Sequence, residues 1–320
     1  MTWFGWQIDY LLFLQSIREA TAGKLDELFL NISNLGICPF ALMLMCAIYW
    51  GISKKSGIYI IYCFFISHII NISLKLTACI QRPWIIDSRV TPPEIAFSTA
   101  GGFSFPSGHT AEGTALWGGI ASSWWNNKII RYIACAIVFL VLFSRNYLGV
   151  HTPQDVIVSL IIGICLLIGV KKLFDWAEQN NIRGYILLGI ITILGILLCI
   201  YVLIKPYPDY CDAQGEKMHY ITRIILAYSM MTGCFLEKKF INFDTENSGI
   251  LDKIIRIIIG LCLLHIITHQ VHDFIFSVCN DDFLVSECLY NIILAFYITI
   301  FYPSLIKISE IIRNLKLNRG

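Results

Sequence analysis

Runs of about twenty predominantly apolar residues recur along this chain, and no other feature restricts its fold as tightly. A run of that length crosses the roughly 30 Å hydrocarbon core of a bilayer as a helix. Within that core each backbone N–H and C=O must find its partner inside the protein, which leaves helices as the natural solution for such runs. Nine of them are read, over 36–53, 57–81, 107–125, 129–148, 152–174, 184–204, 219–240, 251–274 and 288–306. Composition agrees. Of 320 residues, 57% are hydrophobic and 14% charged, and mean hydropathy is +0.68, where soluble domains hold roughly 45–50% apolar and about 25% charged residues. The expected fold class is all-α, a polytopic transmembrane helix bundle. A net charge of +2 without a basic stripe excludes nucleic acid as a partner.

Lysine and arginine set the expected orientation. Lys54, Lys55, Lys128, Arg131, Lys171, Lys172, Arg183, Lys238, Lys239, Lys253 and Arg256 share one set of connections with the tail residues Lys307, Arg313, Lys316 and Arg319. By the positive-inside rule that face is cytoplasmic. The opposite connections hold Asp209, Asp212, Glu216, Asp281, Asp282 and Glu287. An odd number of spans then puts the N-terminus outside and the C-terminus in the cytoplasm.

The opening MTWFGWQIDY has no basic region and no small-residue cleavage pattern, so no removable signal peptide is expected. Leu25, Leu28, Phe29 and Ile32 recur at helical spacing opposite Lys24, Asp26 and Glu27. Segment 1–35 is therefore expected to be an interfacial amphipathic helix, with packing into an extramembrane cap as the alternative. Most of the twelve cysteines, such as Cys46, Cys63 and Cys135, lie in apolar runs where they pack as small hydrophobes, and a Cys279–Cys288 disulfide stays open.

Three polar clusters reach the outer face: KLTACIQRP over 75–83, FPSGHT over 105–110 and SRNYLGVHTPQD over 144–155. Lys75, Arg82 and Arg145 are cations at span ends. Each alone could snorkel or anchor, but two forked guanidiniums and an ammonium together suit a phosphate. Pro106, Ser107 and Gly108 read as a helix N-cap and first turn, an anion site by its free N–H groups and dipole. His151 can attack phosphorus if Asp155 fixes its tautomer. Thr152 to Asp155 also reads as a capping box with proline at the first helical position. His109 would protonate the leaving oxygen and then activate water.

Lys75 with six residues before Arg82-Pro83, then Pro106-Ser107-Gly108-His109, then Ser144-Arg145 with His151 and Asp155, is similar to the three motifs of the type-two phosphatidic acid phosphatase superfamily. The resemblance implies a metal-independent phosphatase without cofactor. It implies His151 as nucleophile, His109 as general acid and base, Asp155 as the residue orienting His151, and Lys75, Arg82, Ser107, Gly108 and Arg145 as phosphate ligands. It further implies a six-helix core over about 36–204, leaving 205–320 as additional transmembrane helices. The layout also resembles the glucose-6-phosphatase branch.

Three further expectations concern single residues. Glu112, one turn beyond His109, would raise the pKa of that imidazole; bonding to another helix is the alternative. His68 and Asn71 share a face with Lys75 and would line the site, or bond between helices. His265, His269 and His272 form a stripe with Asp273 adjacent, read as interfacial polar lining and not as a metal site.

A site at the membrane boundary favours a lipid phosphate substrate: phosphatidic acid, phosphatidylglycerol phosphate, a polyprenyl diphosphate or a sphingoid phosphate. The alternatives are a soluble sugar phosphate, transfer to a lipid headgroup acceptor, and a non-catalytic lipid-phosphate-binding protein. Expected partners are this substrate and membrane lipids, and the sequence is silent on oligomeric state. The expected location is a plasma membrane, bacterial by its Ile and Asn usage, with an outer-face site; the endoplasmic reticulum with a lumenal site is the alternative.

Overall fold

The structure, a computed structural model, describes residues 5–279 and 282–317. Among the described residues every regular element is helical. All nine apolar runs fall on helices. Five segments are long and apolar enough to cross a membrane by length and composition: Lys54–Ile86, Lys128–Tyr147, Pro153–Glu178, Ile182–Ile204 and Phe283–Leu315. The other four are shorter or more polar. Phe40–Ile52 is a short apolar helix, Gly108–Ser123 has 16 residues and carries Glu112, Ala213–Leu236 carries Glu216 and Arg223, and Ile250–Ile266 carries Asp252, Lys253 and Arg256. The long segments expose Ile133, Ile161, Ile190 and Ile193, the apolar surface that lipid would cover.

The chain divides into two compact units. The first comprises Met1–Leu42, Ile66–Lys171 and Tyr207–Cys211. Its central helix, Gly108–Ser123, is buried on nearly every side, with Thr110, Ala111, Gly113, Thr114, Ala115 and Leu116 all enclosed. Small residues let neighbours approach it closely. A Cβ on Gly36 would stand 2.9 Å from the His109 carbonyl oxygen and 3.0 Å from the Gly113 Cα, so only glycine lets the two backbones meet there. The Trp117 indole donates to the Leu35 carbonyl at 2.9 Å and fixes the same approach.

Residues 5–35 form two helices, Gly5–Ala20 and Asp26–Asn34. Both pack against the rest of the first unit. Phe29 meets Phe143 and Tyr147 with ring centroids 5.6 and 4.1 Å apart, and Ile8 and Leu11 cluster with Val90. Only Leu25 and Leu28 of the amphipathic face stay exposed.

The second unit comprises Met43–Phe65, Lys172–Pro206 and Asp212–Gly320. The division therefore falls elsewhere than at residue 204, because side chains of 43–65 bond to the C-terminal helices. The Trp50 indole donates to the Ile298 carbonyl at 3.0 Å, and the Tyr62 hydroxyl donates to Met231 O at 2.8 Å. Trp50 reaches its place because residue 260 is glycine; a Cβ there would come within 2.6 Å of the indole. Two ion pairs, the part-buried Lys54 with buried Glu237 at 2.9 Å and the buried Arg256 with Glu310 at 3.2 Å, tie the ends of these helices. Loss of either partner alone would strand a buried charge.

Four π-helical turns, Ile48–Ile52, Glu237–Ile241, Ile267–Val271 and Tyr297–Phe301, interrupt helices of this unit. The one at Ile267–Val271 shifts the helical register through the histidine stripe. His265 meets His269 edge to face at 4.5 Å, while His272 turns to Glu287 and Asp273, 3.4 Å from each. All twelve cysteines are free, Cys279 and Cys288 included.

Candidate active site

The connection from helix Lys128–Tyr147 to helix Pro153–Glu178 turns at Gly149, where φ is +70°, a conformation that costs glycine little. The next helix begins with a reciprocal cap. The Thr152 N–H donates to Asp155 Oδ2 at 2.9 Å, and the Asp155 N–H donates to Thr152 Oγ1 at 3.4 Å. The same Oδ2 accepts the Ser104 hydroxyl at 2.7 Å and lies 3.3 Å from His151 Nδ1. Asp155 thus serves the helix start and the imidazole together.

The other ring nitrogen of His151, Nε2, lies 2.9 Å from Arg82 Nη1. A guanidinium can only donate. Nε2 is therefore the acceptor and carries a lone pair, and Nδ1 carries the proton facing Asp155. His151 lies in the connection between two spans. Burial first, and then the positive charges of Arg82, Lys75 and Arg145, push its pKa well below the usual histidine value of 6.5. The imidazole is neutral at physiological pH.

The cations are held largely by carbonyl oxygens of the long 82–106 connection, with Val150 O and the Ser33 hydroxyl added from elsewhere. Arg82 donates to Gly102 O at 3.1 Å, Gly101 O at 2.5 Å and Val150 O at 3.0 Å. Lys75 donates to Phe103 O at 2.6 Å. Arg145, 0% exposed, donates through Nη1 to Ser33 Oγ at 2.5 Å and through Nη2 to Thr99 O at 3.3 Å. Carbonyl dipoles soften the cost of burying these cations but do not neutralise them. Two buried polar atoms among them, Arg145 Nε and His109 Nε2, make no hydrogen bond within the described residues. An anion beside them would complete both the hydrogen bonds and the charge.

Ser107 caps the helix that carries His109, its Oγ 3.4 Å from the Thr110 amide and 3.1 Å from the Thr110 hydroxyl. Asn71 donates to Pro106 O at 3.3 Å and holds the loop that leads into that cap. A Cβ on Gly108 would meet nothing closer than Asn71 Oδ1 at 3.6 Å, so the backbone there stays open to a ligand. Glu112 does not meet His109. Its Oε1 lies 2.7 Å from His68 Nδ1, both residues being buried, so the carboxylate joins the neighbouring helix. That is the interhelical alternative for both His68 and Glu112.

The structure thus gathers Lys75, Arg82, Arg145, His109, His151 and Asp155 in one unit, with Ser107 and Gly108 at the adjacent helix start. It adds contacts that the motifs do not announce. Ser104 holds Asp155, Ser33 and Thr99 hold Arg145, and the Asn146 amide donates to the His151 carbonyl at 2.9 Å. Gln7, on the first helix, accepts from the Gln154 N–H at 3.1 Å and steadies the start of the helix bearing Asp155. Ser104 sits just ahead of FPSGHT; Ser33 carries no signal in sequence.

A membrane-embedded all-helical chain with this buried His–Asp pair amid cations defines a class of phosphate-handling membrane proteins. Residues 56–179, which hold all three motifs, match the PAP2 superfamily, and residues 225–311 match the transmembrane extension of PAP2 superfamily phosphatases. The lipid phosphate phosphatase delta of Arabidopsis thaliana is 25% identical over 190 residues, 53% of this chain and 44% of that protein. Phosphatidylglycerophosphatase B of Bacillus subtilis (strain 168) is 30% identical over 159 residues, 46% of this chain and 74% of that protein. No solved structure matches the chain. The chain belongs to the PAP2 superfamily.

Proposed function

We propose that the protein is a membrane phosphatase that hydrolyses a lipid phosphate through a phosphohistidine on His151. One observation carries this reading: a neutral imidazole whose Nε2 lone pair faces Arg82 at 2.9 Å, in a cluster where Arg145 Nε and His109 Nε2 are buried without partners. In the first step the Nε2 lone pair forms an N–P bond as the P–O ester bond breaks. Arg82 turns from nitrogen to a phosphoryl oxygen, joined by Arg145, Lys75 and the N–H groups at Ser107 and Gly108. Asp155 accepts the Nδ1 proton bond and stabilises the charge that forms on the ring.

A bound phosphate brings negative charge beside His109 and favours its imidazolium. His109 then gives its proton to the departing alkoxide. In the second step neutral His109 takes a proton from water, the water oxygen attacks phosphorus, and the N–P bond breaks to release inorganic phosphate.

The lipid assignment rests on the membrane-embedded fold and on relatives named as a lipid phosphate phosphatase and a phosphatidylglycerophosphatase. The basic connections support a cytoplasmic face opposite the motifs, hence nine spans with the site on the outer face. Release of inorganic phosphate in detergent tests the reading, with phosphatidic acid, phosphatidylglycerol phosphate, a polyprenyl diphosphate and glucose 6-phosphate offered in parallel. Lipid substrates turned over faster than the sugar phosphate, with inhibition by vanadate, are the expected result. Phosphate release from none of them would overturn it.

A further inference from the structure

We propose that the second unit holds a separate binding site for an anionic phospholipid. A cavity of about 170 Å³ lies among the helices of this unit, walled by Tyr62, Phe174, Leu188 and Phe235 and rimmed by Glu178, Lys238 and Lys239. Its volume is comparable to the ~150 Å³ apolar cavities that take up small hydrocarbon ligands. The rings are packed against one another and not onto a free face: Tyr62 with Phe174 at 5.8 Å, and Tyr185 with Phe235 at 5.2 Å. A second hollow of about 400 Å³ shares Phe174, Glu178 and Lys238 with the first and adds Lys54 and Lys55.

The charge at the rim is unbalanced. Lys238 Nζ and Lys55 Nζ lie 2.8 and 3.2 Å from the Glu178 carboxylate, so one anion serves two ammoniums. Lys239 stands over the Tyr185 ring at 5.7 Å and has no carboxylate within 4.0 Å among the described residues. Lys54 is excluded from the count, because Glu237 pairs with it. Asp244 and Glu246 line the larger hollow, together with Lys54, Lys55 and Lys307, and not the smaller one. Two ammoniums, Lys238 and Lys239, face one carboxylate, Glu178, at the mouth of the aromatic cavity, and that carboxylate is shared with Lys55; the net positive rim fits a phosphodiester headgroup with an acyl chain behind it.

Position supports a lipid as the occupant. The rim residues stand where helices Lys54–Ala78 and Asn181–Ile204 begin and where Pro153–Glu178 ends, the level at which headgroups meet membrane helices. Basic pockets between such helices are where anionic headgroups are held. Phe235, Lys238 and Lys239 belong to the region that matches the transmembrane extension, so the extension would contribute a lipid site of its own. Phosphatidylglycerol is the occupant to test. It is a phosphodiester without the terminal phosphoryl group that the His151 chemistry requires.

The test is native mass spectrometry of the full chain from neutral detergent, titrated with phosphatidylglycerol, with phosphatidylcholine of the same chains, and with soluble glycerol phosphate. Each lysine near a headgroup is worth about fivefold in binding. Phosphatidylglycerol should therefore bind at least about tenfold tighter than phosphatidylcholine, and K238Q/K239Q should weaken it by about tenfold or more. Glu178→Gln frees two lysines and should strengthen binding severalfold, a gain that a misfolded variant cannot give. His151→Ala should bind as the wild type does. Undiminished binding by K238Q/K239Q, loss of binding in His151→Ala, or equally tight binding of glycerol phosphate would overturn the proposal.

Discussion

Arg82 Nη1 lies 2.9 Å from His151 Nε2, and this contact fixes the state of the imidazole. A guanidinium donates and never accepts, so Nε2 holds a lone pair while Nδ1–H faces Asp155 at 3.3 Å. In the proposed mechanism this leaves Nε2 as the attacking atom before any substrate arrives.

A neutral His151 has a consequence for stability. Its pKa is held well below 6.5 by burial and by Arg82, Lys75 and Arg145, whereas the unfolded chain titrates near the ordinary value. As pH falls below about 6.5 the unfolded state takes up a proton that the native site refuses, so stability falls with pH. His151→Gln removes that proton uptake. Thermal unfolding in detergent should show a shallower loss of Tm toward acid in this variant than in the wild type. Parallel slopes would mean that His151 is already charged in the native protein.

Ser104 positions the dyad. It donates to Asp155 Oδ2 at 2.7 Å and lies 3.5 Å from His151 Nδ1. Without it the carboxylate loses one of its donors and the ring loses its alignment. Ser104→Ala should lower kcat by about tenfold to a hundredfold with KM little changed, the loss expected for a hydrogen bond to a charged group, and Ser104→Thr should restore part of it. A variant that raises KM at constant kcat would show that Ser104 serves binding instead.

Under the proposed mechanism Ser33 acts on the substrate side. It accepts from Arg145 Nη1 at 2.5 Å and is itself fully buried, so the N-terminal cap reaches the proposed phosphate ligand. Ser33→Ala should raise KM several-fold to about tenfold while kcat changes less. An unchanged KM would confine the cap to a packing role.

Much of this arrangement was legible in the sequence, and the failures have physical causes. Apolar runs of span length reveal helices because the bilayer allows little else. The three motifs are short, and the capping pattern at Thr152 to Asp155 is local, so both survive as sequence signals. Ser33 with Arg145 and Ser104 with Asp155 are pairings between distant segments, which no spacing announces. Glu112 illustrates a different difficulty. It follows His109 by one turn, yet its carboxylate extends to His68 on another helix; helical spacing identifies neighbours on one helix but not the partner across an interface. The unit boundary was hidden for the same reason, since Trp50 and Tyr62 bond to carbonyls of Ile298 and Met231.

The His68–Glu112 pair, at 2.7 Å between two buried helices, should couple stability and not catalysis. A double-mutant cycle of His68→Leu and Glu112→Gln should give a coupling energy of about 0.5–3 kcal/mol in detergent unfolding. The limbs of the kcat/KM pH profile should stay in place in Glu112→Gln. An additive cycle with a shifted limb would return Glu112 to His109.

The nucleophile is tested most directly by trapping it. Enzyme mixed with substrate labelled in its phosphoryl group and quenched in alkali, which spares a phosphoramidate, should carry the label on His151. His109→Ala should accumulate it with a substrate whose leaving group needs no proton, because attack persists while water is no longer activated. Label is expected at His151 in the wild type, more of it in His109→Ala and none in His151→Ala. Label that persists in His151→Ala would contradict that assignment.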